Sequence, residues 1–228
     1  MNKINKILLI NGSPKGTKSD TLVVSKAFLE GMDAAYEQVD IIHAKVAPCT
    51  GCYSCWFRTP GKCVINDDAE EIVEKMLEAD LVIWSMPLYC FGMPAGIKAL
   101  VERMLPLATP AQKTDADGHT YHENRRQPHA VNMLISGCGF PDYEGNFDAL
   151  VIQFRKMFGK DAPMILCAEA PMLNIEQARP VTLPYLERVK KAGREFTLDG
   201  RISDETAAVL SKPMLDPDIY RKICNGDV

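Results

Sequence analysis

Several things are missing from this 228-residue sequence. There is no basic surplus: the net charge is -4 at pH 7 and the pI is 5.6, which excludes a general nucleic-acid binder. No apolar run is long enough to cross a bilayer. The opening stretch MNKINKILLINGSPK lacks the small-residue cleavage pattern of a signal peptide, so the expectation is a cytoplasmic protein with no membrane partner. There are no internal repeats, no G-x-S-x-G nucleophile elbow and no Ser-His-Asp arrangement. Hydrophobic residues make up 46% and charged residues 25%, an ordinary globular balance, so one well-buried domain with an extension is expected.

Cysteine is not missing. There are eight, and four crowd into the fifteen residues 49–63. A chain of this length does not need disulfide staples, so the crowding points to metal or redox chemistry. Cys90, Cys138, Cys167 and Cys224 are scattered, and Cys167 reads as a small buried hydrophobe.

Along the chain, apolar runs of strand length alternate with helical periodicity. Strands are expected at 4–10, 38–42, 81–85, 129–136 and 164–168, with helices at 21–32, 67–79, 94–105 and 148–158. Residues 175–228 read as helices broken by Gly200 and Pro213. The strands are continuous apolar runs, as expected when both faces of a parallel sheet are covered. The expected fold is α/β: a flavodoxin-like five-stranded parallel sheet of order 2-1-3-4-5, with helices on both faces. The domain expected is 1–174, carrying a cysteine-rich loop 48–66, followed by a helical extension 175–228. The polar stretch 109–128 reads as a functional, subunit-bridging or mobile loop.

In such a sheet a ligand lies beyond the carboxyl ends of the strands. After strand 1, the loop Asn11–Thr21 offers hydroxyls at Ser13, Thr17, Ser19 and Thr21, lysines at 15 and 18, and amides at a helix N-terminus. That suits a phosphate, although a plain hydroxyl-rich helix cap has the same composition. Neither the dinucleotide fingerprint nor the Walker A spacing is present, which leaves a mononucleotide monophosphate. The loops Ser85–Pro94 and Ser136–Pro141 mix glycine with aromatics, which suits a flat, largely apolar ring; Pro and Gly are also ordinary strand terminators.

The cysteines Cys49, Cys52, Cys55 and Cys63 form C-x2-C-x2-C-x7-C. Three evenly spaced thiols favour an iron–sulfur cluster over structural zinc, which usually takes two separated knuckles. A redox dithiol, zinc, or a loop that binds nothing remain alternatives. Trp56 and Tyr53 could shield a cluster, stack on a ring or pack the loop. Asp67 and Asp68 read as helix-start acids, His119 and His122 as solvated, and Lys98, Glu102 and Arg103 as packing or subunit contacts.

GSPKGTKSDT, ADLVIWSMPLYCFGMPAGIKALVERM and SGCG resemble the NADPH-dependent FMN reductase and flavodoxin-like superfamily. CTGCYSCWFRTPGKCVINDD, with the weaker PYLERVKKAGREF…ISDET, is similar to its iron–sulfur flavoprotein branch. The resemblance implies an FMN-dependent oxidoreductase that takes electrons from NAD(P)H or a protein donor, with FMN and a [4Fe–4S] cluster as cofactors. It places the cofactor contacts at Ser13, Ser19, Asp20 and Thr21, to which the loop's composition adds Lys15 and Thr17, at Pro87, Leu88, Tyr89, Cys90, Phe91 and Gly92, and at Ser136, Gly137, Cys138 and Gly139. The cluster ligands would be Cys49, Cys52, Cys55 and Cys63. Asp20 departs from the family's usual Asn: it either brings an anion to the phosphate or caps the helix. No side-chain acid or base is implied, because the flavin carries the chemistry. Competing readings are a non-enzymatic FMN electron carrier, and a zinc- or thiol-containing regulatory protein with an empty flavin site. The long 109–128 stretch and the helical tail suggest coverage of a neighbour's site, hence a homodimer or homotetramer.

Overall fold

The computed structural model of the protein describes residues 4–126 and 128–227. Positions 1–3, 127 and 228, which the expected domain limits and the 109–128 stretch include, lie outside the described residues.

Five strands form one parallel sheet: β1 (Ile7–Asn11), β2 (Glu37–Asp40), β3 (Leu81–Pro87), β6 (Val131–Gly137) and β7 (Met164–Cys167). Their spatial order is β2-β1-β3-β6-β7. This is the expected 2-1-3-4-5 arrangement once two further strands are counted. Those two, β4 (Ala108–Thr114) and β5 (Thr120–Asn124), pair antiparallel as a separate hairpin. The stretch expected to be an irregular loop is therefore a ribbon. Both its faces are wet, so it shows no apolar alternation to read in the sequence. Lys113 pairs with Glu123 across it, and Asp115 and Gly118 close its turn.

Side chains alternate across the sheet. Ile7, Leu9, Leu81 and Ile83 face a core made with α1 (Asp20–Met32) and α6 (Arg179–Asp199). Leu8, Ile10, Val82 and Trp84 face a second core made with α3 (Ala69–Glu78), α4 (Ala95–Glu102) and α5 (Asp148–Phe158). The remaining helices are α2 (Ser54–Phe57), α7 (Asp204–Leu210) and α8 (Pro217–Asn225).

Within the C-terminal segment, α6 buries Tyr185, Val189, Ala192 and Phe196 against α1. The two backbones touch at Gly31 and Gly193. A Cβ on Gly193 would stand 2.1 Å from the Phe28 carbonyl oxygen, and one on Gly31 2.0 Å from that of Lys190. α6 ends where Gly200 takes a left-handed conformation, φ 70°.

Candidate functional site

The loop after β1 closes on itself through Asn11, which is fully buried. Its side-chain amide donates to the Gly16 carbonyl at 3.0 Å and to Asp40 at 2.7 Å, and its oxygen accepts from the Ser13 amide at 3.2 Å. Ser19 caps α1, its hydroxyl accepting from the Leu22 amide at 3.2 Å and sharing a 2.8 Å hydrogen bond with the Thr21 hydroxyl. Ser13, Ser19 and Thr21 are 3%, 1% and 2% exposed, so these hydroxyls are built in rather than solvated. By helix geometry the amides of Asp20 and Thr21 have no acceptor within α1, and the positive end of the helix dipole lies there. This donor set fits an anionic phosphate.

Asp20 does not cap the helix. Its carboxylate accepts from the Lys15 ammonium at 2.7 Å and from the Asn174 amide at 2.6 Å, so the anion is neutralised and tied to the turn after β7. Thr17 is exposed, on the short turn Gly16–Lys18.

The other walls come from the ends of β3 and β6. Leu88 donates its amide to the Gly137 carbonyl at 2.8 Å, locking the two loops side by side, and Cys138 donates to the Cys167 carbonyl at 3.0 Å, tying the second loop to the end of β7. Gly137 has to be small: a Cβ there would meet the Ala170 Cβ at 2.7 Å and the Thr21 methyl at 3.1 Å. Tyr89 and Gly92 exchange backbone hydrogen bonds of 3.1 and 2.9 Å around Cys90 and Phe91, which both have positive φ, 47° and 62°. Non-glycine residues there are strained, and such strain concentrates at ligand sites.

Together these loops enclose a cleft of about 460 Å³, counted out to its mouth. It brings together Ser13, Lys15, Ser19, Asp20, Thr21, Pro87, Leu88, Tyr89, Gly137, Cys138 and Gly139. Thr17, Cys90, Phe91, Gly92 and Ser136 do not line it. Ser136 is fully buried just behind, and its hydroxyl, like that of Ser85, finds no hydrogen-bond partner among the described residues. Two lining residues escaped the sequence reading, Ala170 and Pro171. Their only signal was their place after the last strand of the sheet. A larger cleft, about 1080 Å³, opens at the opposite edge between the C-terminal ends of α1 and α6. It lies away from the strand carboxyl ends, where ligands of such sheets bind.

None of the four clustered cysteines lines the cofactor cleft. Cys55 is buried on α2, Cys49 and Cys63 are half-buried, Cys52 is exposed, and all are free thiols. Hydrogen bonds from the Ser54 hydroxyl and amide and the Thr50 hydroxyl draw the Cys52 thiol down to about 7. Burial pushes Cys55 up, and so do the neighbouring charges of Cys63, Cys49 and Cys52, so the four sulfurs form one electrostatic neighbourhood. No three of them lie within 4.8 Å of one another. A tetrahedral four-thiolate zinc would space its sulfurs at about 3.8 Å, given Zn–S bonds near 2.3 Å.

Trp56 packs the loop. Its indole donates to the Leu105 carbonyl at 3.3 Å, and its ring centroid lies 4.8 Å from His122 on β5 and 5.2 Å from Tyr53. Asp67 accepts from the Ala69 amide at 3.1 Å at the start of α3, whereas the Asp68 side chain makes no cap and accepts from the Lys45 amide at 2.7 Å. At the hairpin tip, ligand atoms of Asp115, Asp117 and His119 gather within 4.8 Å, all exposed. Asp115 is occupied with the turn, accepting from the amides of Asp117 and His119. No helix is long and apolar enough to cross a membrane among the described residues.

A model of the flavodoxin-like fold matches residues 5–160. An iron–sulfur flavoprotein of Methanocaldococcus jannaschii is 37% identical over 106 residues, which are 45% of this chain and 53% of that one. The chain spans about half the length of the curated relatives it matches. Among solved structures, an FMN-dependent NADH-azoreductase from Bacillus anthracis in complex with FMN shares the fold with a TM-score of 0.57 at 17% identity, covering 85% of this chain and 100% of that one. An NAD(P)H:quinone oxidoreductase from Methanothermobacter marburgensis gives 0.58 at 17% identity, with 85% and 97% covered.

Proposed function

The chain belongs to the flavodoxin-like fold family, and from that premise we propose that it is an FMN-dependent oxidoreductase passing electrons from NAD(P)H or a protein donor to an acceptor. The observation that carries this reading is the convergence of buried hydroxyls, free helix-terminal amides and two ring-sized loop ends on one cleft. Relatives and neighbours named as FMN-dependent oxidoreductases support it. FMN, when bound, supplies the hydride and single-electron chemistry.

The chain's own residues bind and orient. Ser13, Ser19, Thr21 and the first amides of α1 would hold the phosphate. Lys15, paired with Asp20, adds the nearest cation. Leu88, Tyr89 and Gly137–Gly139 would lie against the ring and exclude water from one side of it. Tyr89, Phe91 and Phe140 are 44%, 51% and 50% exposed; Tyr89 lines the cleft, and the other two stand on the same two loops. These exposed aromatics support a homodimer or homotetramer in which a second copy covers the ring. Light scattering at micromolar concentration tests this, and a monomer sinks it.

Cys49, Cys52, Cys55 and Cys63 would hold a [4Fe–4S] cluster. The iron–sulfur flavoprotein relative and the gathering of the four thiols into one electrostatic neighbourhood support this reading.

Protein purified without oxygen should show flavin absorbance and oxidise NAD(P)H when a quinone acceptor is supplied. Absence of flavin overturns the reading. Flavin without NAD(P)H oxidation, but with electron exchange to a reduced protein donor, makes the chain a carrier instead.

A further inference from the structure

The cysteine segment leaves the fold near Ala47 and returns near Ile65, and one buried side chain grips both sides of that neck. Arg103, at the C-terminal end of α4, is 3% exposed. Its Nη1 donates to the Ala47 carbonyl at 3.0 Å and to Asp67 at 2.7 Å, and its Nη2 donates to the Ile65 carbonyl at 3.0 Å. Asp67 completes the clasp by accepting from the Ala47 amide at 2.9 Å. Its Nε is buried with no hydrogen-bond partner among the described residues. Cys63 is its sulfur neighbour, close enough for its thiolate to favour the charged guanidinium.

We infer that Arg103 is a positioning residue for the clustered thiolates, clamping the neck of the segment with its fork and presenting a buried positive charge and a spare N–H beside Cys63. The inference rests on the reading that the four cysteines hold an iron–sulfur cluster. A buried cation with a single carboxylate partner is costly to keep for packing alone. Its cost is offset where several thiolate charges gather next to it. Only arginine can do both jobs, because lysine has no planar fork to span two carbonyls and a carboxylate. Charge and hydrogen bonds near cluster sulfurs set the reduction potential, so Arg103 should govern that as well as assembly.

The test uses full-length protein, reconstituted without oxygen with ferrous iron and sulfide, and flavin retention reports folding. Arg103→Lys keeps the charge but loses the fork; it should need on the order of ten times more iron for half occupancy, the usual effect of removing an outer-shell partner. Arg103→Gln should also move the midpoint potential of whatever cluster forms to more negative values. Asp67→Asn, which leaves the cation unpaired, should move it the opposite way. A purely structural role would lower occupancy in all three without this opposed shift. Iron-loaded wild type, with flavin-retaining variants that load equally and keep its potential, overturns the inference alone. Wild type that holds flavin and never takes iron overturns it together with the cluster reading. Should Arg103→Gln not fold, the Arg103→Lys occupancy and the Asp67→Asn potential still decide.

Discussion

The loop after β1 and the cysteine segment are both irregular, yet they are held differently. The first is tied mainly from within: Asn11, Ser13 and Ser19 bind its own amides and carbonyls, and the hydroxyls of Ser13, Ser19 and Thr21 are almost wholly buried. The second has bonds of its own, such as the Thr59 hydroxyl to the Lys62 carbonyl and the Gly61 amide to the Cys55 carbonyl, but it is also gripped at its neck by Arg103 and held along one side where Trp56 meets His122, while Cys52 and Tyr53 lie open. A loop capped by its own backbone is ordered before a ligand arrives, so the fold has already met the entropy cost of binding. A loop of spaced thiols gains much of its order from what the thiols hold.

The strongest way to break this comparison is Ser19→Glu. It places a carboxylate in a cradle whose lining lysine, Lys15, is already paired, and an uncompensated buried charge costs about 3–5 kcal/mol. FMN affinity should fall at least about a hundredfold, read by fluorescence quenching, with about 1 kcal/mol of helix stability lost besides. Equal affinity would show that the phosphate does not sit at residues 13–21.

Next comes Cys52→Ala. Anaerobic iron and sulfide analysis should fall from about four irons per chain to none. FMN binding should stay within about twofold of wild type, since the cleft shares no residue with the cysteine segment. Loss of flavin in this variant would make the two regions one site.

Smaller effects follow from pH. Burial alone would push the Asp67 carboxyl up, but the Arg103 guanidinium and the amides of Ala47 and Ala69 outweigh it and hold it below the usual carboxylate range. Its pairing therefore stabilises fully above the unfolded value near pH 4 and is lost as pH falls through the lower folded value. Acid should thus loosen the cysteine neck, seen as faster proteolysis at residues 47–65 than at 11–21.

Glu169, beside the cofactor cleft, behaves oppositely. Burial raises it, only partly offset by the Leu215 and Met214 amides, so the native state prefers the protonated acid. Stability should then decline as pH rises from the unfolded value through the raised one. Denaturation at pH 5 and pH 8 should show that decline in wild type and not in Glu169→Gln; a decline in both would remove Glu169 as its cause.

Much of the cleft was legible because its signals are local. Continuous apolar runs marked the strands, and hydroxyls next to a helix start marked the first wall of the cleft. The hairpin was not legible, since a solvated ribbon carries no hydrophobic period. The partner of Asp20 was not either: the sequence shows an anion in the loop, but the Asn174 amide that binds it is 154 residues away.

The amino-acid order alone determined the parallel sheet, its strand order and the four-cysteine spacing, because each depends on residue type at short separations. Tertiary structure decided which residues meet. Ala170 and Pro171 join the cleft only because β7 lies beside β6, and Gly137 lets Thr21 and Ala170 close against it. Arg103 reads in sequence as one more charge on a helix. It becomes the clasp of the cysteine neck only when packing buries it, because a buried guanidinium must find acceptors, and the carbonyls of Ala47 and Ile65 and the carboxylate of Asp67 are the ones the fold brings within reach.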